Sequence, residues 1–186
     1  MAKGVRLTAD DWADEALRIL AERGLAGIAV EPLAVRLGTT KGSFYWHFAN
    51  RDALVEATLA RWESRHTAAM IADVDTEAEP VAKLRRLFTE VMTAGARHRI
   101  ELALLASIDD PRVSSAFERV TARRLAYIAS VLETTGFPGD EARRRAQLAY
   151  SVYLGHLQLR HTAPGQIVDD SAYRELVLAA LLKEHG

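Results

Sequence analysis

The chain of 186 residues contains no cysteine. That excludes disulfides, thiol catalysis and cysteine-ligated zinc, and it suits a reducing cytoplasm. No run approaches the ~18–20 apolar residues of a membrane span, so no membrane partner is expected. The opening MAKGVRLTADD lacks the apolar stretch of a secretory signal. Proline is scarce, at five residues, and the eleven glycines lie mostly outside the periodic segments, a composition that leaves helices uninterrupted. No segment alternates with period two over any length, so no sheet is expected. There is no internal repeat and no low-complexity tract. Acids are missing from one place in particular. Between Glu31 and Asp52 there is none, while Arg36, Lys41 and Arg51 fall in that window. With 24 Lys and Arg against 25 Asp and Glu the net charge by itself says nothing about a polyanion partner. A local acid-free stretch can still attract one.

What is present reads as helix throughout. Thr8 and Asp11 have the form of a capping box, ahead of Trp12, Ala16, Ile19 and Leu20 at three- and four-residue steps. Gly24 ends this first helix, and Lys3 and Arg6 precede it as a short basic arm. A second, short helix spans Val30 to Leu37, with Pro32 in its first turn and Leu33, Ala34 and Leu37 facing inward. Gly38 breaks it, and Thr40 caps a third helix beginning at Lys41. Two short helices joined by a tight glycine-containing turn, after a longer one, form the pattern of a helix-turn-helix unit. In the third helix, Phe44 and Phe48 lie four apart and turn toward the core.

Asn50 caps a fourth helix running from Arg51 into the low seventies, with Leu54, Val55, Thr58, Leu59, Trp62 and His66 on one side. The acidic loop DVDTEAEP from Asp73 to Pro80 follows. Five more helices are predicted: around Val81–Met92; around Ile100–Ile108, stopping at Asp109; a long one over Val113–Leu132, closed by Gly136 and Pro138; one capped by Asp140 and reaching Leu157; and one capped by Ser171 and ending near Leu182. The fold class expected is therefore all-α, with nine helices. A three-helix unit of helix-turn-helix pattern is expected over residues 1–50, and a further helical domain over residues 51–186. The eighth and ninth helices carry apolar residues on more than one face, which suggests a partner surface.

At this point the chain resembles the TetR family of transcriptional regulators. The resemblance rests on Ile19, Gly24, Leu33, Ala34, Leu37 and Gly38, on the run Thr40-Lys41-Gly42-Ser43-Phe44-Tyr45-Trp46-His47-Phe48, and on Asn50-Arg51-Asp52-Ala53-Leu54. It covers about residues 8–60. Two positions depart from the family pattern. The second helix opens with Ala29, Val30 and Glu31 where many members have a hydroxyl, and Thr39 stands where valine is frequent.

The resemblance implies a homodimeric, ligand-responsive regulator, more specifically a repressor on a near-palindromic double-stranded operator. In this reading Lys41 and Ser43 face base edges, and Gly42 permits close approach. Thr40, Tyr45, Trp46 and His47 contact the backbone. Arg51 meets a phosphate at the start of the fourth helix, and Arg36 and the arm residues contribute more weakly. An effector pocket is expected among helices 4 to 7, extended by helix 8. Trp62, Phe88, Met92, Leu104, Phe117, Tyr127 and Tyr150 are its candidates, for a largely apolar small molecule of unknown identity. Dimerisation would use helices 8 and 9. The six histidines form no metal-ligand spacing, and no catalytic ordering or cofactor motif stands out. Two alternatives remain at this stage: a helical interaction or small-molecule-binding module without DNA, and a small helical enzyme.

Overall fold

A computed structural model describes residues 7–93, 95–168 and 170–183; Lys3 and Arg6 lie outside the described residues. Among the described residues nine helices follow in chain order, counting Ala69–Val74 as the continuation of the fourth: α1 (Ala9–Arg23), α2 (Val30–Arg36), α3 (Lys41–Phe44), α4 (Arg51–Glu63), α5 (Pro80–Thr93), α6 (Gly95–Leu105), α7 (Pro111–Thr134), α8 (Gly139–Thr162) and α9 (Ser171–Leu182). Through a π-helical turn at Ser64–Ala68, α4 continues into Ala69–Val74. Short 3-10 turns occupy Leu25–Gly27 and Pro164–Gln166. Among the described residues there is no strand, and no helix is long and apolar enough to cross a membrane.

Local chemistry sets most boundaries. The capping box at α1 is formed: Asp11 N–H donates to Thr8 Oγ1, and Thr8 N–H donates to the Asp11 carboxylate at 2.7 Å. Asn50 caps α4 by accepting from Ala53 N–H at 2.9 Å. Three predicted termini differ. Asp140 lies inside the first turn of α8, whose N-cap is Pro138; the fixed φ of proline enters the helix without a side-chain cap, and Asp140 instead pairs with Arg143. Ser171 is the first residue of α9, and Asp170 caps it by accepting from Tyr173 N–H at 2.8 Å. A carboxylate so placed wins over a hydroxyl one residue later. Rather than reaching Asp109, α6 ends at Leu105, and Ile108 is exposed.

The chain divides into two compact units, one of Met1–His66 with Ala96–Phe117, the other of Thr67–Gly95 with Glu118–Gly186. In the first, α1 packs along α4. Arg61 locks the pair, reaching Asp14 at 2.7 Å through Nε and Asp10 at 2.7 Å through Nη1, while Arg65 reaches Asp14 at 2.6 Å. These guanidiniums hold the Asp14 carboxyl below its ordinary pKa, with the Arg61 hydrogen bond as the largest cause. Trp12, Leu20, Ile28, Leu33, Phe44, Leu54 and Trp62 are fully buried. Glu101 and His98 of α6 are buried too, which nothing in the helical periodicity indicated.

The core of the second unit draws Met70 and Val74, Leu84, Leu87, Phe88 and Met92 of α5, Ile128, Ala129, Val131 and Leu132 of α7, Ala142, Ala146 and Ala149 of α8, and Val177, Leu178 and Leu181 of α9. The alanines of α8 let neighbouring helices approach closely. Arg145, itself buried, donates to the carbonyls of Leu181 and Lys183 and stacks over Phe137 with its guanidinium carbon 4.0 Å from the ring centre. It thereby satisfies carbonyls left open at the end of α9.

Candidate nucleic-acid interface

The site begins with a buried ring. Phe44 has no exposed surface and meets Trp12 of α1 edge-to-face, centroids 5.4 Å apart, and Phe48 at 5.5 Å. Burying such a ring contributes about 1.5–3 kcal/mol, and it clamps α3 against α1. Ahead of it, Gly38 adopts φ +63, a left-handed conformation that favours glycine. Thr39 N–H then donates back to Ala34 O at 2.9 Å, closing the turn after α2. Thr40 caps α3 as expected, accepting from Ser43 N–H at 3.3 Å. The regular helix is only Lys41–Phe44, shorter than expected. Even so, His47 N–H to Phe44 O at 2.9 Å and Phe48 N–H to Phe44 O at 3.0 Å carry the winding to Phe48.

With Phe44 and Phe48 fixed inward, the other side chains of the segment turn out. Trp46 is 82% exposed and Tyr45 57%. Thr40, Lys41 and Gly42 are exposed, and Ser43 and His47 are half-buried. A tryptophan left this open does nothing for the core, and aromatics exposed beside hydroxyls and a lysine mark a contact surface. Gly42 points the same way. A Cβ there would meet only Thr40 Oγ1, at 3.5 Å, so the fold does not require the missing side chain. Gly27 is the contrast, since its Cβ would fall 2.6 Å from Arg23 Cβ and the fold does require glycine. A cleft of about 380 Å³ runs beside the turn, lined by Leu7, Leu37, Gly38, Thr39, Ser43, Trp46 and His47.

The cations of this surface are engaged within the protein. Lys41 Nζ donates to Glu31 Oε1 at 2.9 Å. Arg36 holds Glu22 at 2.6 Å and Glu15 at 2.5 Å, tying α2 to α1. Arg51, expected at a phosphate, donates Nε–H to Ile28 O at 2.6 Å and Nη2–H to Leu25 O at 3.0 Å. Sequence reasoning named Glu31 only as a departure at the start of α2 and missed its pairing with Lys41. Glu31 is the last acid before the acid-free window, and that position was the available signal.

The seven effector candidates fall in both units. Trp62, Leu104 and Phe117 belong to the first, where Trp62 and Phe117 lie 4.9 Å apart. Phe88, Met92, Tyr127 and Tyr150 belong to the second. Phe88 and Met92 are core residues, and the Tyr127 hydroxyl donates to Asp75 at 2.9 Å. Tyr150 lies in a polar group, its hydroxyl 3.4 Å from Thr121 Oγ1 and 3.5 Å from Arg124 Nη1, while Arg124 Nε donates to Thr67 Oγ1 at 3.1 Å. Among the described residues no group of His, Asp and Glu is arranged to hold a metal.

A glycine turn, a short outward-facing helix held by buried aromatics, and a second helical unit in the same chain define a helix-turn-helix regulator. Residues 13–58 match the family described as bacterial regulatory proteins, tetR family. The HTH-type transcriptional regulator TtgR of Pseudomonas putida is 27% identical over 158 residues, covering 77% of this chain and 75% of that protein. The HTH-type transcriptional repressor KstR2 of Mycobacterium tuberculosis is 30% identical over 89 residues, covering 48% of this chain and 44% of that protein. The solved structure of reduced Escherichia coli NemR superposes with a TM-score of 0.77 at 20% identity, over 94% of this chain and 96% of that one. Residues 13–58 thus carry the tetR-family match, and over most of its length the chain is similar to a TetR-type transcriptional regulator.

Proposed function

We propose that this regulator is a repressor that places α3 in the major groove of a near-palindromic operator and leaves it when a small effector binds. The observation that carries the DNA reading is the outward surface of Lys41, Ser43, Tyr45 and Trp46 around a Gly42 that the fold itself does not need. A helix fits the major groove, where hydroxyl and amine donors meet base edges and backbone. DNA binding is assigned to residues 1–50, with Thr40 and His47 as further backbone contacts, and effector binding and dimerisation to residues 51–186. Repression is the activity named for the mycobacterial relative. The site of action is the cytoplasm, where operator DNA lies.

A homodimer through α8 and α9 supplies the two-fold symmetry that a near-palindrome matches, with recognition helices about 34–36 Å apart. Leu148 and Leu159 of α8 and Leu176 of α9 are at least half exposed, which favours a covered face there. The effector is largely apolar, with a polar group suited to Arg124, Thr121 and Tyr150. It releases DNA only if it prefers the arrangement that does not bind DNA. No catalytic step is proposed.

The test is selection of bound fragments from genomic DNA, followed by titration of the enriched sequence with the protein and with Lys41→Glu/Trp46→Ala. Enrichment of a near-palindrome that the variant no longer binds, while its circular dichroism is unchanged, is the expected result. Unchanged binding by the variant overturns the interface.

A further inference from the structure

Glu31 is the second residue of α2 and Lys41 the first of α3, and the side chains of this ion pair are 72% and 53% exposed. An ion pair that open stabilises a fold little, and among the described residues neither side chain forms another ion pair. Its effect at a DNA surface is larger. Phosphates are acceptors at every position, so a carboxylate beside the leading lysine weakens binding to any duplex. A surface selected only for affinity would not carry one.

We propose that Glu31 and Lys41 act together as a reader of one G·C base pair in each half-site, with Glu31 as a specificity-determining residue; this rests on the DNA-binding reading above. The chemistry matches group by group. An ammonium has three donors. With one held by Glu31 Oε1, the others serve guanine N7 and O6. The second oxygen of the carboxylate accepts from the N4 amine of the paired cytosine, which lies beside O6 in the major groove. Adenine places a donor where guanine has O6, and its partner thymine turns the acceptor O4 toward the carboxylate. An A·T pair therefore leaves a lysine donor unmet and sets oxygen against oxygen. The ion pair lowers the Glu31 pKa and raises that of Lys41, chiefly through their mutual hydrogen bond, so both partners stay charged near neutral pH.

The two charges make opposite predictions for unrelated DNA and the same prediction for one base pair. That contrast is the test. The full-length protein, Glu31→Gln and Lys41→Gln are each put through selection from randomised duplexes, and each is titrated against an unrelated duplex over a series of salt concentrations. Thermal melts serve as the control on folding, since both side chains are exposed. The wild-type pool is expected to hold G·C at one position per half-site, by a factor of about ten over other pairs. Both variants lose that preference at that position and keep the rest of the site. Glu31→Gln binds the unrelated duplex several-fold tighter, and Lys41→Gln binds it several-fold more weakly.

An unchanged Glu31→Gln preference overturns the proposal, as does relaxation of different positions by the two variants. If the wild-type protein enriches no sequence at all, the DNA-binding reading itself fails and the proposal falls with it. If the wild type enriches a site without this G·C position, only the proposal falls.

Discussion

Arg51 holds the carbonyl oxygen of Ile28, Nε to O 2.6 Å, and spans to Leu25 O at 3.0 Å with a second nitrogen. The start of α4 is thereby fastened to the connection between α1 and α2, which has its own 3-10 turn at Leu25–Gly27. A charge-assisted hydrogen bond contributes about 1.5–3 kcal/mol. Arg51→Ala is expected to lower the unfolding free energy by about 2 kcal/mol, read as a reduced urea midpoint. Its effect on DNA affinity follows from that loosening. The slope of log affinity against log salt, which shrinks by about 0.9 for every phosphate no longer neutralised, should stay unchanged. A slope reduced by that amount would return Arg51 to the phosphates.

Gly42→Ala separates folding from binding. Alanine in a helix is favoured over glycine by about 0.8–1 kcal/mol, and the added methyl meets only Thr40 Oγ1 at 3.5 Å. Thermal melts should show equal or greater stability. DNA binding should weaken by about tenfold or more, because the methyl stands where a base or sugar must come close. A variant both more stable and equally tight on DNA would show that close approach at this residue is not used.

Much of the DNA-binding segment was legible because its determinants are local. Thr8 with Asp11, Gly24, Gly38, Thr40 and Asn50 each act within a few residues of themselves, so caps and turns follow from spacing alone. Phe44 and Phe48 were readable as inward residues for the same reason. The fates of the cations were not. Arg51 reaches 23 residues back to Ile28, and Lys41 reaches ten back to Glu31, distances over which a helical period carries no information. The misplaced caps of α8 and α9 have another cause, since adjacent residues compete for one N–H and geometry chooses between them. The effector candidates were the least legible, because an apolar residue at helical spacing reads the same in a core as in a pocket.

The acid limb of stability should run through Asp110. Its carboxylate accepts from Arg112 through Nε at 3.0 Å and Nη2 at 2.7 Å, and from the Arg112 backbone N–H at 2.9 Å, at the start of α7. The Arg112 side-chain hydrogen bonds are the largest cause that lowers its pKa from 3.8 to about 2. A depressed carboxyl contributes stability that is fully present above its unfolded value and disappears as pH falls through the folded one. Wild-type melting temperature should therefore fall between about pH 4 and pH 2 in part through this group. Asp110→Asn should be less stable at pH 7 and show a shallower decline over the same interval. Parallel curves for the two proteins would remove Asp110 from the acid transition.

Leu176 of α9 is 67% exposed, and Leu148 and Leu159 of α8 are each 51% exposed, beside core residues such as Val177 and Leu178. Solvent-facing leucines on two helices whose other sides already fill a core suit a surface covered by a second copy. Because the side chains are open in the single chain, arginine there costs the fold little. In a two-fold interface each substitution appears twice, so like charges face each other where leucines would have packed. Leu176→Arg, alone or with Leu148→Arg, should raise the dimer dissociation constant by about 100-fold or more, as followed by sedimentation velocity over a dilution series. Operator affinity should drop with it, since a monomer engages one half-site, while circular dichroism stays that of the wild type. A variant that sediments as an undisturbed dimer would move the interface away from this face.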